Sequence, residues 1–272
     1  MNWVRILSIV FVIAWLIFTS GPLYIMLISS FKNLNDIFTI PPKLIPYLDF
    51  QPTLESYRVI FTGGISQTFF TSLLISGSGT IIALVVSLSS AYGFSRFPRA
   101  LMNDSRSFFN LLTLRMVPPF AVALPILIYW SNFKLYDTHF ALIWTYTVFS
   151  IPLGVWLLKG FIDDVPKILE EAAKVDGYKF FSMFRKFILP IVAPGLAATV
   201  ALLWIFLWNE FLFALKIAGG EVLTYTVKLT QLRHSERILW NVYSAMGVLS
   251  IIPSIIILLV FRKYVTRVFI GK

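Results

Sequence analysis

Residues 170–195 read EEAAKVDGYKFFSMFRKFILPIVAPG. Charge crowds the first half of this stretch, phenylalanines its middle, and prolines with a glycine its end. It interrupts a chain that otherwise avoids charge: of 272 residues 58% are hydrophobic and only 13% charged, and the mean hydropathy is +0.81. A soluble domain of this length carries about a quarter charged residues, so the composition points to an integral membrane protein. There are no cysteines, which excludes disulfides and thiolate metal sites. The two histidines, His139 and His234, stand far apart, so no metal cluster is expected.

Working outward from the stretch, the charged residues serve as rulers. Gaps free of Asp, Glu, Lys and Arg run 6–31, 59–95, 116–133, 138–158, 187–209 and 238–261. A helix needs about 20 largely apolar residues to cross the hydrocarbon, so six gaps predict six spans. The gaps are continuously apolar, without the period-two alternation of barrel strands, which selects helices. The first gap exceeds the apolar region of a secretory signal and is read as a retained helix.

Lysines and arginines then set the orientation. With the N-terminus inside, 14 fall on cytosolic segments and 8 on outer ones, with Arg115 inside a span. The expected topology is therefore N-in, C-in. The net charge of +10 is absorbed by this inner-leaflet bias and by lipid contact. No basic run interleaved with aromatics stands outside the spans, so no nucleic-acid partner is expected.

The predicted layout is a single transmembrane domain over 1–272, with helices near 5–31, 66–95, 107–131, 138–161, 190–215 and 240–264. Gly77 and Gly79 in the second would let another helix approach closely. Pro118, Pro119 and Pro125 predict a kink or break in the third. An outer loop covers about 216–240, and a cytosolic segment covers about 162–189.

That cytosolic segment has its own logic. Asp163 and Asp164 before Pro166 suit the first turn of a helix. Ile168, Leu169, Ala172, Ala173 and Val175 form a mainly apolar stripe, and Gly177 fits a left-handed stop. A second short helix, about 179–187, sets Phe180, Phe184 and Phe187 on one face, and Pro190 marks the entry to the next span. Residue chemistry leaves two readings open. The pair could rest on lipid headgroups, or it could dock a protein, since Glu170, Glu171 and Asp176 would be repelled by anionic headgroups.

Glu171-Ala172-Ala173, three residues, Gly177, then Leu189-Pro190 after eleven more resemble the EAA loop of ATP-binding-cassette importer permeases. Asp176-Gly177 looks like the carbohydrate-importer form. RMVPPFAVALPIL, then Tyr146, Pro152 and Trp156, WNEFLFAL at 208–215 and VFRKYV near the end resemble the smaller six-helix permease of maltose-type sugar transporters. Phe187 stands where the family pattern favours isoleucine. The chain also stops at Gly271-Lys272, short of the family's usual tail, so the resemblance does not carry over a tail contact with the ATPase.

The resemblance implies an oligosaccharide importer subunit in a bacterial cytoplasmic (inner) membrane. Its implied partners are a second homologous permease, an ATPase dimer and an extracytoplasmic sugar-binding protein. No phosphate-binding G-x-x-x-x-G-K-[ST] loop occurs, so the chain itself is expected to bind no cofactor and to be no enzyme, with ATP and Mg on the partner ATPase. Glu171, Ala172, Ala173, Asp176, Gly177, Phe180 and Phe184 are the implied coupling residues. The 216–240 loop, with Thr224, Tyr225 and Gln231, would reach the binding protein.

Arg115, Asn209 and Glu210 are candidates for the translocation path. Arg115 could instead snorkel or pair with the partner subunit, and Glu210 could serve helix packing. A polyol, glycerol phosphate or acidic saccharide remains an alternative cargo, and a channel or scaffold an alternative class.

Overall fold

Six hydrophobic segments, each needing its backbone hydrogen bonds satisfied internally in lipid, leave helices as the natural solution. The protein is described by a computed structural model, which covers residues 3–97, 104–233 and 239–270. Arg99, Asn103, His234, Arg237 and the terminal Gly271-Lys272 lie outside the described residues. Among those described, long helices dominate and the one β-bridge, Pro46 to Phe50, is isolated.

Five helices are long and apolar enough to cross a membrane: α1 (Trp3–Ser30), α4 (Ile65–Arg96), α7 (His139–Asp163), α10 (Leu189–Trp208, prolonged backward to Phe180) and α13 (Trp240–Ile270). A bent pair of helices is the sixth candidate. Helix α5 (Asp104–Thr113) tightens into a 3₁₀ turn at Leu114–Met116 and meets α6 (Pro119–Asn132) at 89°. The predicted break in the third span is therefore present, at Pro118-Pro119.

By internal contacts the chain forms two compact units, Met1–Gln67 with Lys228–Pro253, and Thr68–Val227 with Ser254–Lys272. In the first, two short helices, α2 (Leu34–Ile37) and α3 (Glu55–Thr62), follow α1. The connecting chain is pinned by polar bonds. Asp49 takes the N–H groups of Leu44 and Ile45 at 2.8 Å each, Tyr24 donates to the Leu44 carbonyl at 2.9 Å, and buried Lys32 reaches the Lys43 carbonyl and covers the Phe50 ring.

The second unit is built around α7, the most enclosed of the long helices. Lipid gives helices no hydrophobic reason to associate, so close packing through small residues must do it. A buried stripe of Thr68, Ser72, Ser76, Thr80 and Ser87 runs down α4. A Cβ on Gly79 would fall 2.7 Å from a Leu207 methyl, whereas one on Gly77 would meet Trp204 at an ordinary 3.9 Å. The approach expected at these glycines is thus made at Gly79.

Three predicted boundaries are corrected. Asp163 ends α7 rather than opening the next helix; Lys159, four residues before it, pairs with it at 2.6 Å. The fifth span stops at Trp208 instead of running to 215, because Glu210 folds back and caps a separate helix, α11 (Leu212–Ile217). The predicted helix at 179–187 is not separate from the fifth span. Phe180–Met183 passes through a π turn, Phe184–Ile188, directly into α10. Pro190 has no N–H to offer the carbonyl four residues before it, and the wide turn falls there.

Candidate functional site: an elbow, a cavity and a loop

The elbow begins at α8 (Lys167–Val175), capped at its start by Pro166. It ends as the sequence predicts: Gly177 sits at φ +78°, Tyr178 N–H reaches the Ala173 carbonyl and Gly177 N–H that of Lys174, each at 3.0 Å. This is the Schellman pattern, in which a left-handed residue satisfies the last carbonyls. The second arm is α9 (Phe180–Met183).

The elbow has an inward and an outward surface. Ala173 and Met183 are buried, and Phe184 and Phe187 pack partly onto the same core as Val155, Leu158 and Ile162. Phe180 and Phe184 lie 5.5 and 5.4 Å from the Tyr92 ring. Outward stand Ile168, Val175 and Phe181, the last two 88% and 83% exposed, among exposed Glu171, Ala172, Lys174, Asp176 and Lys179. Of the face expected from Phe180, Phe184 and Phe187, only Phe180 is exposed, and the other two are half-buried. Phe181 takes the outward role, and sequence reading passed over it. Adjacent residues on a helix diverge by about 100°, so the Phe180-Phe181 doublet was the available signal.

The two glutamates also divide. Glu171 faces outward, while Glu170 is buried and bonded to Arg96 and Tyr92. No sequence signal joins groups 74 residues apart.

A cavity of about 740 Å³ brings Arg115, Asn209 and Glu210 together, with Tyr146, Ser150 and Phe206. Arg115 stands at the bend between α5 and α6, its guanidinium 4.7 Å from the Phe206 ring centre and one N–H 3.3 Å from the Phe149 carbonyl. It makes no ion pair among the described residues. Glu210 accepts the N–H groups of Phe213 at 2.8 Å and Ala214 at 3.2 Å, the donors a new helix leaves unpaired. Asn209 donates back to the Ile205 carbonyl at 2.8 Å. The helix break that places these groups thus comes from Glu210 itself.

On the other side of this unit, Asp137 holds the loop at 217–222. Its carboxylate accepts from Glu221 N–H at 2.9 Å and Val222 N–H at 3.1 Å, and its own N–H reaches the Ile217 carbonyl at 3.0 Å. Burial pushes its pKa upward, but the N–H groups of Glu221, Gly219, Val222 and Gly220 outweigh this and hold it below the usual aspartate value. Such a group stabilises the fold above the unfolded pKa, and the contribution is lost as pH falls through the lower folded value. Acidification below the ordinary aspartate range should therefore free the loop. Asp137→Asn should free it at neutral pH, since hydrogen bonds to a charged group contribute about 1.5–3 kcal/mol. Limited proteolysis of residues 216–224 measures both; equal cleavage of mutant and wild type at neutral pH would remove Asp137 as the anchor.

The loop residues singled out by sequence fare differently. Thr224 and Tyr225 are each 2% exposed: Tyr225 N–H meets Ser72 Oγ at 2.7 Å and its ring lies 5.3 Å from Phe69. Neither side chain is offered at the surface of this chain. Their polarity reads as loop but is spent internally. Gln231 is exposed on α12 (Tyr225–Arg233), and Gly219, Gly220 and Glu221 form the exposed rim.

Residues 104–270, which include the elbow and the whole cavity lining, match the family described as binding-protein-dependent transport system inner membrane component. The chain belongs to that family. It is a multi-pass component of an inner membrane, part of an ABC transport system. Among similar proteins is YurM of Bacillus subtilis strain 168, described as an ABC transporter permease protein, 32% identical over 95% of this chain and 84% of the relative. Another is the trehalose transport system permease protein SugB of Mycobacterium tuberculosis, 34% identical over 81% of this chain and 80% of the relative. The fold matches a chain in the crystal structure of a bacterial ABC transporter involved in importing the acidic polysaccharide alginate. That match has a TM-score of 0.77 at 22% identity and covers 96% of this chain and 97% of that one.

Proposed function

We propose that this permease forms half of the translocation path of an ATP-driven carbohydrate importer, one permease domain over 1–272 oriented N-in, C-in. The observation that carries the reading is the elbow. Its inner surface is fixed to the bundle, while Ile168, Val175 and Phe181 stand outward among charged residues. Large apolar groups on a charged, membrane-flanking loop suit a protein groove better than lipid headgroups. A separate ATPase dimer, binding ATP and Mg, fits that surface. Glu171 supplies a charge-assisted contact, Ala172 lets the partner approach, and Gly177 sets the bend. The 14-to-8 lysine and arginine bias supports the orientation.

The remaining partners are a second homologous permease and an extracytoplasmic sugar-binding protein, the latter meeting the rim at 219–221. The names of relatives such as SugB support a saccharide cargo. Arg115 favours a second reading of the same cavity, in which the cargo is an acidic saccharide or a phosphorylated polyol, because a guanidinium is costly inside a membrane unless it meets a partner. Co-purification on a tagged chain tests the whole: an ATPase and a second permease should come down, and adding the binding protein with its sugar should stimulate hydrolysis. Comparing neutral with acidic sugars separates the two cargo readings. A complex in which residues 166–188 touch lipid headgroups and no other polypeptide would falsify the importer reading.

A further inference from the structure

The inner end of α4 and the elbow meet in a dense polar cluster. Arg96 Nε lies 2.5 Å from Glu170 Oε1, with the two side chains 6% and 7% exposed. One terminal nitrogen of the guanidinium donates to the Val165 carbonyl at 2.8 Å, the other to Ser95 Oγ at 2.8 Å. Tyr92 Oη donates to Glu170 Oε2 at 2.8 Å, so both carboxylate oxygens are occupied. Ser95 Oγ donates to Asp163 Oδ1 at 2.6 Å. The Tyr92 ring meets Phe180 and Phe184 on the second arm. One turn of α4 therefore grips the end of α7, the turn before α8, α8 itself and the second arm.

From this geometry we infer that Arg96, Glu170 and Tyr92 are positioning residues that lock the elbow to α4 as one rigid body. The ATPase's movement of the elbow is then delivered to α4 as well as to α7 and α10. The inference rests on the importer reading above and names which helix receives the stroke. Two physical points carry it. A buried ion pair adds little net stability against apolar packing of the same shape, so the pairing is better explained by geometry than by holding power. Several directional bonds at one helix end also forbid sliding and rotation, which greasy contacts alone permit. The buried site gives no substitute for these bonds, since a freed carboxylate or guanidinium there would be left without a partner.

The cysteine-free chain allows a direct test. In the copurified transporter reconstituted with its binding protein, Arg96→Cys on α4 and Glu170→Cys on the elbow replace the ion pair and are joined by a short, reducible thiol cross-linker. If α4 and the elbow move together, the cross-linked complex keeps roughly half or more of its uptake. A loss of about tenfold that reductant reverses means that the two part during the cycle, and overturns the inference.

Glu170→Gln and Tyr92→Phe, which keep shape, should lower the substrate moved per ATP hydrolysed by about fivefold or more. An unchanged ratio in both also overturns the inference. Should Glu170→Gln fail to assemble, the cross-link and Tyr92→Phe decide alone. Failure of either arm in a complex that transports normally as wild type sinks only the clasp. A wild-type chain that recruits no ATPase sinks the importer reading and the clasp's coupling role with it.

Discussion

Gly177→Val should abolish most uptake while the transporter still assembles. The residue sits at φ +78° with open space around its Cα, so the obstacle is conformational rather than a clash. A left-handed backbone costs an ordinary residue about 1–2 kcal/mol, and a β-branched one more, because its side chain crowds the carbonyl. The chain would relieve this by unwinding the Schellman turn, which swings the second arm and moves the exposed Phe181 with it. Uptake is expected to fall by about tenfold or more, with Gly177→Asn retaining most of it, since asparagine tolerates that region. Glu171→Lys should act on the same interface by reversing an outward charge. Transport by Gly177→Val and Glu171→Lys at wild-type rates would remove the elbow as the coupling element.

The second large effect is expected at Gly154. A Cβ there would sit 2.3 Å from Ser87 Oγ and 2.8 Å from Ser87 Cβ, and the latter cannot rotate away. Gly154→Ala should therefore wedge α7 from α4 and destabilise the unit by about 1–3 kcal/mol, the usual result of overpacking a filled interior. Thermal unfolding in detergent reads this directly. Ser87→Gly in the same chain removes both offending atoms and should restore most of the loss. A double variant no better than the single one would mean that the close approach at this crossing is not what Gly154 serves.

The spans were legible because charge is excluded from hydrocarbon, and gaps between charges mark them with little ambiguity. The elbow's stop was legible too, since a glycine after an apolar stripe has a local cause. What escaped was whatever depends on a distant partner. Glu170 and Glu171 look alike in sequence, and only α4 decides which one is buried. Thr224 and Tyr225 read as an exposed polar loop because nothing local reveals that Ser72 and Phe69 await them. The fifth span was drawn too long for a related reason: the apolar run resumes at 211–215, and Glu210 declares itself a cap only once its carboxylate is seen on the N–H groups of Phe213 and Ala214. At the cavity the sequence grouped Arg115, Asn209 and Glu210 as path candidates, and the fold places all three on one lining.

The right-angle bend after Met116 bears on how the protein enters its membrane. At 1.5 Å per residue, the 10 residues of α5 reach roughly 15 Å and the 14 of α6 roughly 21 Å, against a hydrocarbon slab of about 30 Å. Neither piece qualifies by itself as a stop-transfer segment, and the open backbone between them tolerates no contact with acyl chains. The pair is therefore expected to enter the bilayer only together with α7, whose surface can cover it.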